Sequence, residues 1–207
     1  MRYKLQKIKS DASFREFFRL FKGKKTSIIV TASKEIVETD YMLDNWRLNN
    51  TFSTNGVVNQ YWERFVRPGT AQIGNQMHEA SGDFTFPRTG LYLVKFHANV
   101  YVATGATSEH IYIAATTDNS SYVLMAIAQT QGLTGNASDT SISCETLVNV
   151  TDVANVKVRF TIDGFETGSS LHGAPNSNVA NGFARTQVFF ERKGPVSYTH
   201  LTLPTKA

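Results

Sequence analysis

From Asp44 onward the chain alternates apolar and polar residues with a period of two. The run 91–102, LYLVKFHANVYV, puts Tyr92, Val94, Phe96, Ala98, Val100 and Val102 on one side, with Lys95, His97, Asn99 and Tyr101 on the other. The run 155–163, NVKVRFTID, sets Val156, Val158, Phe160 and Ile162 against Lys157, Arg159 and Thr161. Shorter runs of the same style are NWRLN, YWERF, HIYIAAT, SYVLMAIAQ, ETLVNV and RTQVFFERK. Such alternation over many short segments predicts half-buried antiparallel strands, and their spacing predicts a sandwich or barrel. Asn55-Gly56, Asp163-Gly164 and Asn181-Gly182 predict turns. The stretch 165–182, FETGSSLHGAPNSNVANG, is too long and polar for a hairpin turn and predicts an exposed loop, with Phe165, His172, Asn176 and Asn178 as candidate surface contacts.

Residues 13–22, SFREFFRLFK, follow a different period. Ser13 and Glu16 have capping-box spacing, Phe14, Phe17, Phe18 and Phe21 recur at three and four, and Gly23 supplies a stop, so a helix is predicted there. A helix this short is marginal alone in water. It is expected to dock on its own domain, a sister subunit or a partner; the basic residues between the Phe also suit a membrane surface.

Charge separates the same two regions. Residues 1–25 carry nine Lys and Arg against Asp11 and Glu16, a local balance of +7, whereas 26–194 balance at −4. The overall +4 therefore describes an arm and not a domain. Such an arm suits an anionic or acidic partner, or simply solvation, and nucleic acid is not the expected partner. The expected organisation is a basic arm with linker over 1–43, an all-β domain over 44–194 and a tail over 195–207.

The candidate chemistry is sparse. Cys144 stands alone, so no disulfide can form within the chain, and in SISCETLVNV it reads as a buried, inert thiol. His78, His97, His110 and His172 lie in separate segments without metal-ligand spacing, and no nucleophile elbow, phosphate loop or zinc pattern is present. Glu35 and Glu38 read as solvating linker acids. Asp118 and Asn119 offer oxygens of the kind calcium takes, but such residues more often make a turn. No catalytic residue, cofactor or metal is expected, and no apolar run approaches the roughly 18 residues of a spanning helix. Trp46, Tyr61 and Trp62, and Tyr101 and Tyr112 sharing an outer face with His97 and His110, read as exposed aromatics suited to a subunit interface or a sugar.

The stretch 81–96, SGDFTFPRTGLYLVKF, combines a strand entry, a proline where the ladder must stop, and a Thr89-Gly90 turn into a long strand. Its pattern of Gly82, Phe84, Phe86, Pro87, Gly90 and Tyr92 resembles the signature of the jelly-roll domain shared by complement component 1q heads and the tumour necrosis factors. The order of CETLVNVTDVANVKVRF and NGFARTQVFFERK agrees with that family's last strands. The resemblance covers roughly 44–193. The family's usual Cys is absent beside Phe86, and no collagen-like stalk precedes the motif. The phrasing looks more like the variants of this domain in tailed-phage and marine viral sequences.

That resemblance implies a jelly-roll β-sandwich of about ten antiparallel strands, behind the N-terminal helix, that assembles as a homotrimer packing sheet surfaces around an axis. It implies a non-enzymatic virion structural or adhesion protein, such as a tail-fibre head, bound to virion proteins through its arm and contacting a host-surface glycan or protein. A secreted or cell-surface binding module, with extracellular localisation, is the alternative. The end of the chain differs in kind: read back through the genetic code, Val196–Thr205 resembles a transposon-end sequencing adapter translated in frame, so residues 196–207 are expected to be non-native.

Overall fold

The computed structural model describes residues 4–8, 15–22, 25–32, 41–65, 72–133, 135–174 and 184–194, in two units divided between Tyr41 and Met42. The first unit is a three-stranded antiparallel sheet of β1 (Lys4–Ile8), β2 (Arg15–Lys22) and β3 (Lys25–Ala32), with β2 in the middle. The helix expected over 13–22 is therefore corrected to a strand over 15–22. A lone helix of that length would gain only its own hydrogen bonds, whereas β2 bonds on both sides. Phe and the Ile28-Ile29-Val30 run opposite it also favour the pleated surface. Phe17 pairs with Val30, Phe18 with Ile29 and Phe21 with Thr26. Phe18 and Phe21 are half-buried and, three apart on a strand, point to opposite faces, so these two do not share a stripe; Phe14 lies outside the described residues.

The second unit is a sandwich of two antiparallel sheets. Its strands are β4 (Met42–Leu48), β5 (Gly56–Val57), β6 (Trp62–Arg64), β7 (His78–Ala80), β8 (Asp83–Thr85) and β9 (Gly90–Val102). They continue with β10 (Glu109–Thr116), β11 (Val123–Thr130), β12 (Ser138–Val150), β13 (Lys157–Asp163), β14 (Ser170–Leu171) and β15 (Gln187–Gly194). One sheet runs β11-β10-β13-β8-β7, with β5 also on β13. The other runs β12-β9-β15-β4-β6, with β14 also on β9. Each run predicted from alternation is one of these strands. The predicted inward face of β9, from Tyr92 to Val102, is fully buried, as are Val158, Phe160 and Ile162 of β13.

Between the sheets lies an aromatic core centred on Phe84. Its ring meets Trp46 at 5.4 Å, Trp62 at 5.7 Å, Phe160 at 5.3 Å and Phe190 at 5.1 Å, most of them edge to face. Trp46 and Trp62, expected as exposed aromatics, thus belong to the core, at 9% and 8% exposure, while Tyr61 is exposed. Both indoles find acceptors, Trp46 Nε1 donating to Asp44 Oδ2 at 3.0 Å and Trp62 Nε1 to the Val58 carbonyl at 2.7 Å. Asp44 is itself buried. It also accepts from Arg64 Nε and the Met77 N–H, so its charge is paired and hydrogen-bonded as burial requires.

The motif of 82–92 carries the chain from one sheet to the other, and each of its residues has a mechanical part. Ser81 and Gly82, at φ 53° and 89°, make the two-residue turn of the β7–β8 hairpin. A Cβ on Gly82 would stand 2.7 Å from Val57 Cγ1. Phe84 and Phe86 then point inward, and β8 stops before Pro87. The crossing is pinned twice, by the Tyr92 hydroxyl donating to the Arg88 carbonyl at 2.9 Å and by Arg192 donating through Nε and Nη2 to the Thr89 carbonyl. Gly90, at φ 149°, leaves the room Arg192 needs, since a Cβ there would lie 2.5 Å from its Nε.

One buried acid lacks such support. Glu109, at the start of β10, is fully buried, and neither carboxylate oxygen has a hydrogen bond of good geometry; the Ser169 hydroxyl and the Glu166 N–H only approach it. Burial pushes its carboxyl above the usual range, and the nearby Glu166 charge adds to the effect. A raised pKa means the fold favours the protonated acid. Its stabilising effect is complete below the unfolded carboxylate range and is lost as pH rises through the folded value. Glu109→Gln, a neutral group of the same shape, is expected to raise the melting temperature near pH 8 and to leave it unchanged near pH 4. An equal shift at both pH values would place the effect elsewhere. Phe96→Ala is expected to destabilise the second unit by about 3 to 5 kcal/mol in urea titrations, because Phe96 is fully buried against Phe160.

Candidate functional site

The outer face of the β12-β9-β15 sheet has two halves of different chemistry. In register across it, Leu93 faces Leu147, Lys95 faces Glu145, His97 faces Ser143, Asn99 faces Ser141 and Tyr101 faces Asp139. On the other side of β9, Phe189 is opposite Lys95 and Gln187 opposite His97. Toward the Gly90 end the face carries Leu91, Leu93 and the exposed Leu147, with Asn149 opposite Leu91 and Glu191 opposite Leu93, while Phe189 stands level with Lys95. The Lys95–Glu145 ion pair, at 2.9 Å and largely solvated, marks the boundary. Beyond it the face turns polar and dips, because two serines sit beside two larger side chains. A groove of about 380 Å³ is lined there by His97, Asn99, Asp139, Ser141, Ala184 and Arg185.

His172 gathers the mouth of that groove. Its Nδ1 lies 2.9 Å from Arg185 Nη1 and 3.1 Å from Asp139 Oδ1, and its ring stacks on Tyr101 at 5.6 Å. That one nitrogen accepts from Arg185 when it is bare and donates to Asp139 when it carries a proton, so it ties the segment after β14 to one of the two at a time.

The second distinctive surface is the edge strand β11. Val123, Leu124, Met125 and Ile127 are between 44% and 64% exposed, while the smaller Ala126 and Ala128 are the residues that pack on the core. Among the described residues, β11 and β12 end their sheets on this side and are 8 and 13 residues long; β7 and β6 end them on the other and are 3 each.

The predicted site residues fare unevenly. Phe165 is corrected from a surface contact to a buried anchor. It is 7% exposed, its N–H donates to Asn55 Oδ1 at 3.0 Å and its carbonyl accepts from Asn55 Nδ2 at 3.0 Å. The expected exposed loop is likewise corrected in its first part. Ser170–Leu171 form β14 against β9, and Ser169 and Ala174 are buried, because this stretch covers the end of the sandwich. His172 remains half-buried at the groove, while Asn176 and Asn178, the Asn181-Gly182 turn and residues 196–207 lie outside the described residues. The aromatic–histidine face divides in two: His97 and Tyr101 belong to β9, whereas His110 stacks on Tyr112 at 5.7 Å on β10, in the other sheet.

Cys144 is buried, and desolvation pushes its thiol up to about 11, which suppresses the thiolate a nucleophile needs. Asp118 Oδ1 accepts the N–H groups of Ser120 and Ser121 and the Thr116 hydroxyl, an Asx turn whose hydrogen bonds hold its carboxyl below the usual range. Sequence reasoning missed Asp139 and Arg185. Asp139 could have been found from its place on the outer face of β12, whereas Arg185 comes to the groove only through the β15–β9 pairing.

No protein-family model matches the chain, and no curated protein matches it. Solved structures do. The structure of Eiger TNF from S. frugiperda is 13% identical over 81% of this chain and 99% of its own, with a TM-score of 0.52. Murine APRIL at pH 5.0 is 11% identical over 73% of this chain and 98% of its own, also at 0.52. The fold is thus a TNF-like jelly roll. At such identities the likeness is one of fold alone, and it says nothing of the ligand.

Proposed function

We propose that the chain is a non-enzymatic, homotrimeric binding module displayed on a virion, in the manner of a tail-fibre or appendage head. Its second unit forms the trimer and contacts a host surface; its basic first unit attaches to other virion proteins. The observation that carries the assembly is the edge of β11. Long, flat, apolar edges are templates for unwanted pairing, and stable proteins shorten, charge or cover them. Here one side of the sandwich has 3-residue edges, whereas the other leaves β11 and β12 long, with Val123, Leu124, Met125, Ile127 and Leu147 in the open. A second copy covers them best, because Leu91, Leu93, Leu147 and Phe189 on the β12-β9-β15 face are partners of matching character on the same chain. Two different patches on one chain make a head-to-tail contact, which closes as a ring where the rotation between copies is one third of a turn and otherwise runs on as a filament.

The virion setting is supported by the phrasing of the 82–92 motif and by the arm, whose +7 charge and Phe-rich β2 a free jelly roll does not need. Sedimentation equilibrium of the full chain is expected to give a trimer at micromolar concentration. The double substitution Leu124→Asp with Ile127→Asp is expected to give a folded monomer. A wild-type chain that sediments as a monomer would remove the assembly. In particles carrying the gene, deleting residues 1–25 is expected to abolish incorporation without dissociating the trimer. Normal incorporation of that deletion would instead favour a soluble, extracellular binding module.

A further inference from the structure

We infer that Glu109 is the proton-controlled catch of a latch across one end of the sandwich, which stays closed while its carboxyl carries a proton and opens when it does not. The latch joins two segments, 103–108 between β9 and β10 and 166–169 between Phe165 and β14. The Ala103 N–H donates to Ser169 Oγ at 2.9 Å, and the Thr107 N–H donates to Glu166 Oε1 at 3.2 Å. Within the second segment the Ser169 N–H donates to the Glu166 carbonyl at 2.9 Å, which closes it as a turn. Glu109 lies against both ends of that turn, near the Ser169 hydroxyl and the Glu166 N–H. It is fully buried, with no hydrogen bond of good geometry to either oxygen.

The groups around that carboxyl do not compensate a charge. From the turn it meets the Glu166 carboxylate. Its register partner on β11 is Thr130, and Thr107, Ser108 and Ser169 are neutral. His110, with its β13 partner Asp163, falls on the other face of the sheet. None of these is a cation beside Glu109, so ionisation costs the closed latch a buried, poorly bonded charge, whereas an open one lets water reach it. Closure is complete below the ordinary carboxyl range. Above it the open population rises by about tenfold per pH unit, and it levels off once pH passes the raised value of the closed state. The opening is bounded, because Asn55 bonds both backbone groups of Phe165 at 3.0 Å and Ser170–Leu171 pair with β9. Gly105 and Gly168, at φ 78° and 98°, give each segment a residue that absorbs a backbone change without a side-chain clash. The end of the module therefore offers one contact surface in acid and another above it, whether the chain is a monomer or a trimer.

The test is amide hydrogen exchange on the full chain, followed by NMR from about pH 5 to about pH 8 and expressed as protection factors, which removes the intrinsic pH dependence of exchange. Protection at Ala103, Thr107 and Ser169 is expected to fall by about tenfold or more over that range. Phe165, bonded to Asn55, and Val94, within β9, should keep theirs. Glu109→Gln should hold the three latch amides at their acid values throughout. Glu166→Gln, made at an exposed position, should shrink the loss, because Glu109 then has no like charge beside it. Protection at the three amides that does not change with pH overturns the inference. So does an equal loss at Phe165 and Val94, the mark of global unfolding, or an undiminished loss in Glu109→Gln. A carbon-13 titration that finds the Glu109 carboxyl of the folded chain at its ordinary value overturns it as well, whatever the variants do.

Discussion

The second unit is organised by the packing of Phe84 against four other rings. Phe84 stands on β8, Phe160 on β13 of the same sheet, and Trp46, Trp62 and Phe190 on β4, β6 and β15 of the facing sheet. With no disulfide available in a chain with one cysteine, this interlock is what fixes how the two sheets face each other. The neighbouring hydrogen bonds serve it. Gly82 lets β8 start close under Val57, and Tyr92 with Arg192 holds the crossing that delivers β9 to the other sheet. Trp46 can be buried beside Phe84 only because Asp44 receives its N–H, and Asp44 can be buried only because Arg64 and the Met77 amide neutralise it. One apolar contact therefore dictates a chain of polar ones.

Much of this was legible in the sequence because antiparallel strands with one wet face print their period directly. The inward faces of β9 and β13 needed nothing more than alternation. Legibility failed where an aromatic could sit on either side of a strand, since period alone does not say which sheet lies opposite. Trp46 and Trp62 looked like display residues because NWRLN and YWERF are short and mostly polar. Phe165 looked displayed because its surroundings are polar, yet Asn55, far away in sequence, turns that polarity inward by bonding both of its backbone groups. In the first unit the spacing of Phe14, Phe17, Phe18 and Phe21 fits a helical stripe, and what decides for a strand is the partner at Lys25–Ala32. Propensity read one segment at a time cannot see that partner.

The candidate site was less legible still. His172 was singled out with Phe165, Asn176 and Asn178 as part of one loop, but it lies beside Asp139 and Tyr101, residues 33 or more positions away. Registers of this kind are tertiary facts. The division of the β12-β9-β15 face is visible along β9 alone once its direction is known, from Leu91 and Leu93 through Lys95 to His97, Asn99 and Tyr101.

That division matters because assembly and recognition make opposite demands on a surface. A subunit contact needs apolar area that leaves water cheaply, while a polar ligand needs donors and acceptors that stay wet until it arrives. Mixing the two across the whole face would leave buried polar groups unpaired in the assembly, each of them destabilising by about 1 to 3 kcal/mol. Placing Leu91, Leu93, Leu147 and Phe189 toward one end, beside only Asn149 and Glu191, and His97, Asn99, Asp139 and Ser141 toward the other, reduces that penalty. The Lys95–Glu145 pair, solvated and close to neutral in stability, separates the halves at little cost.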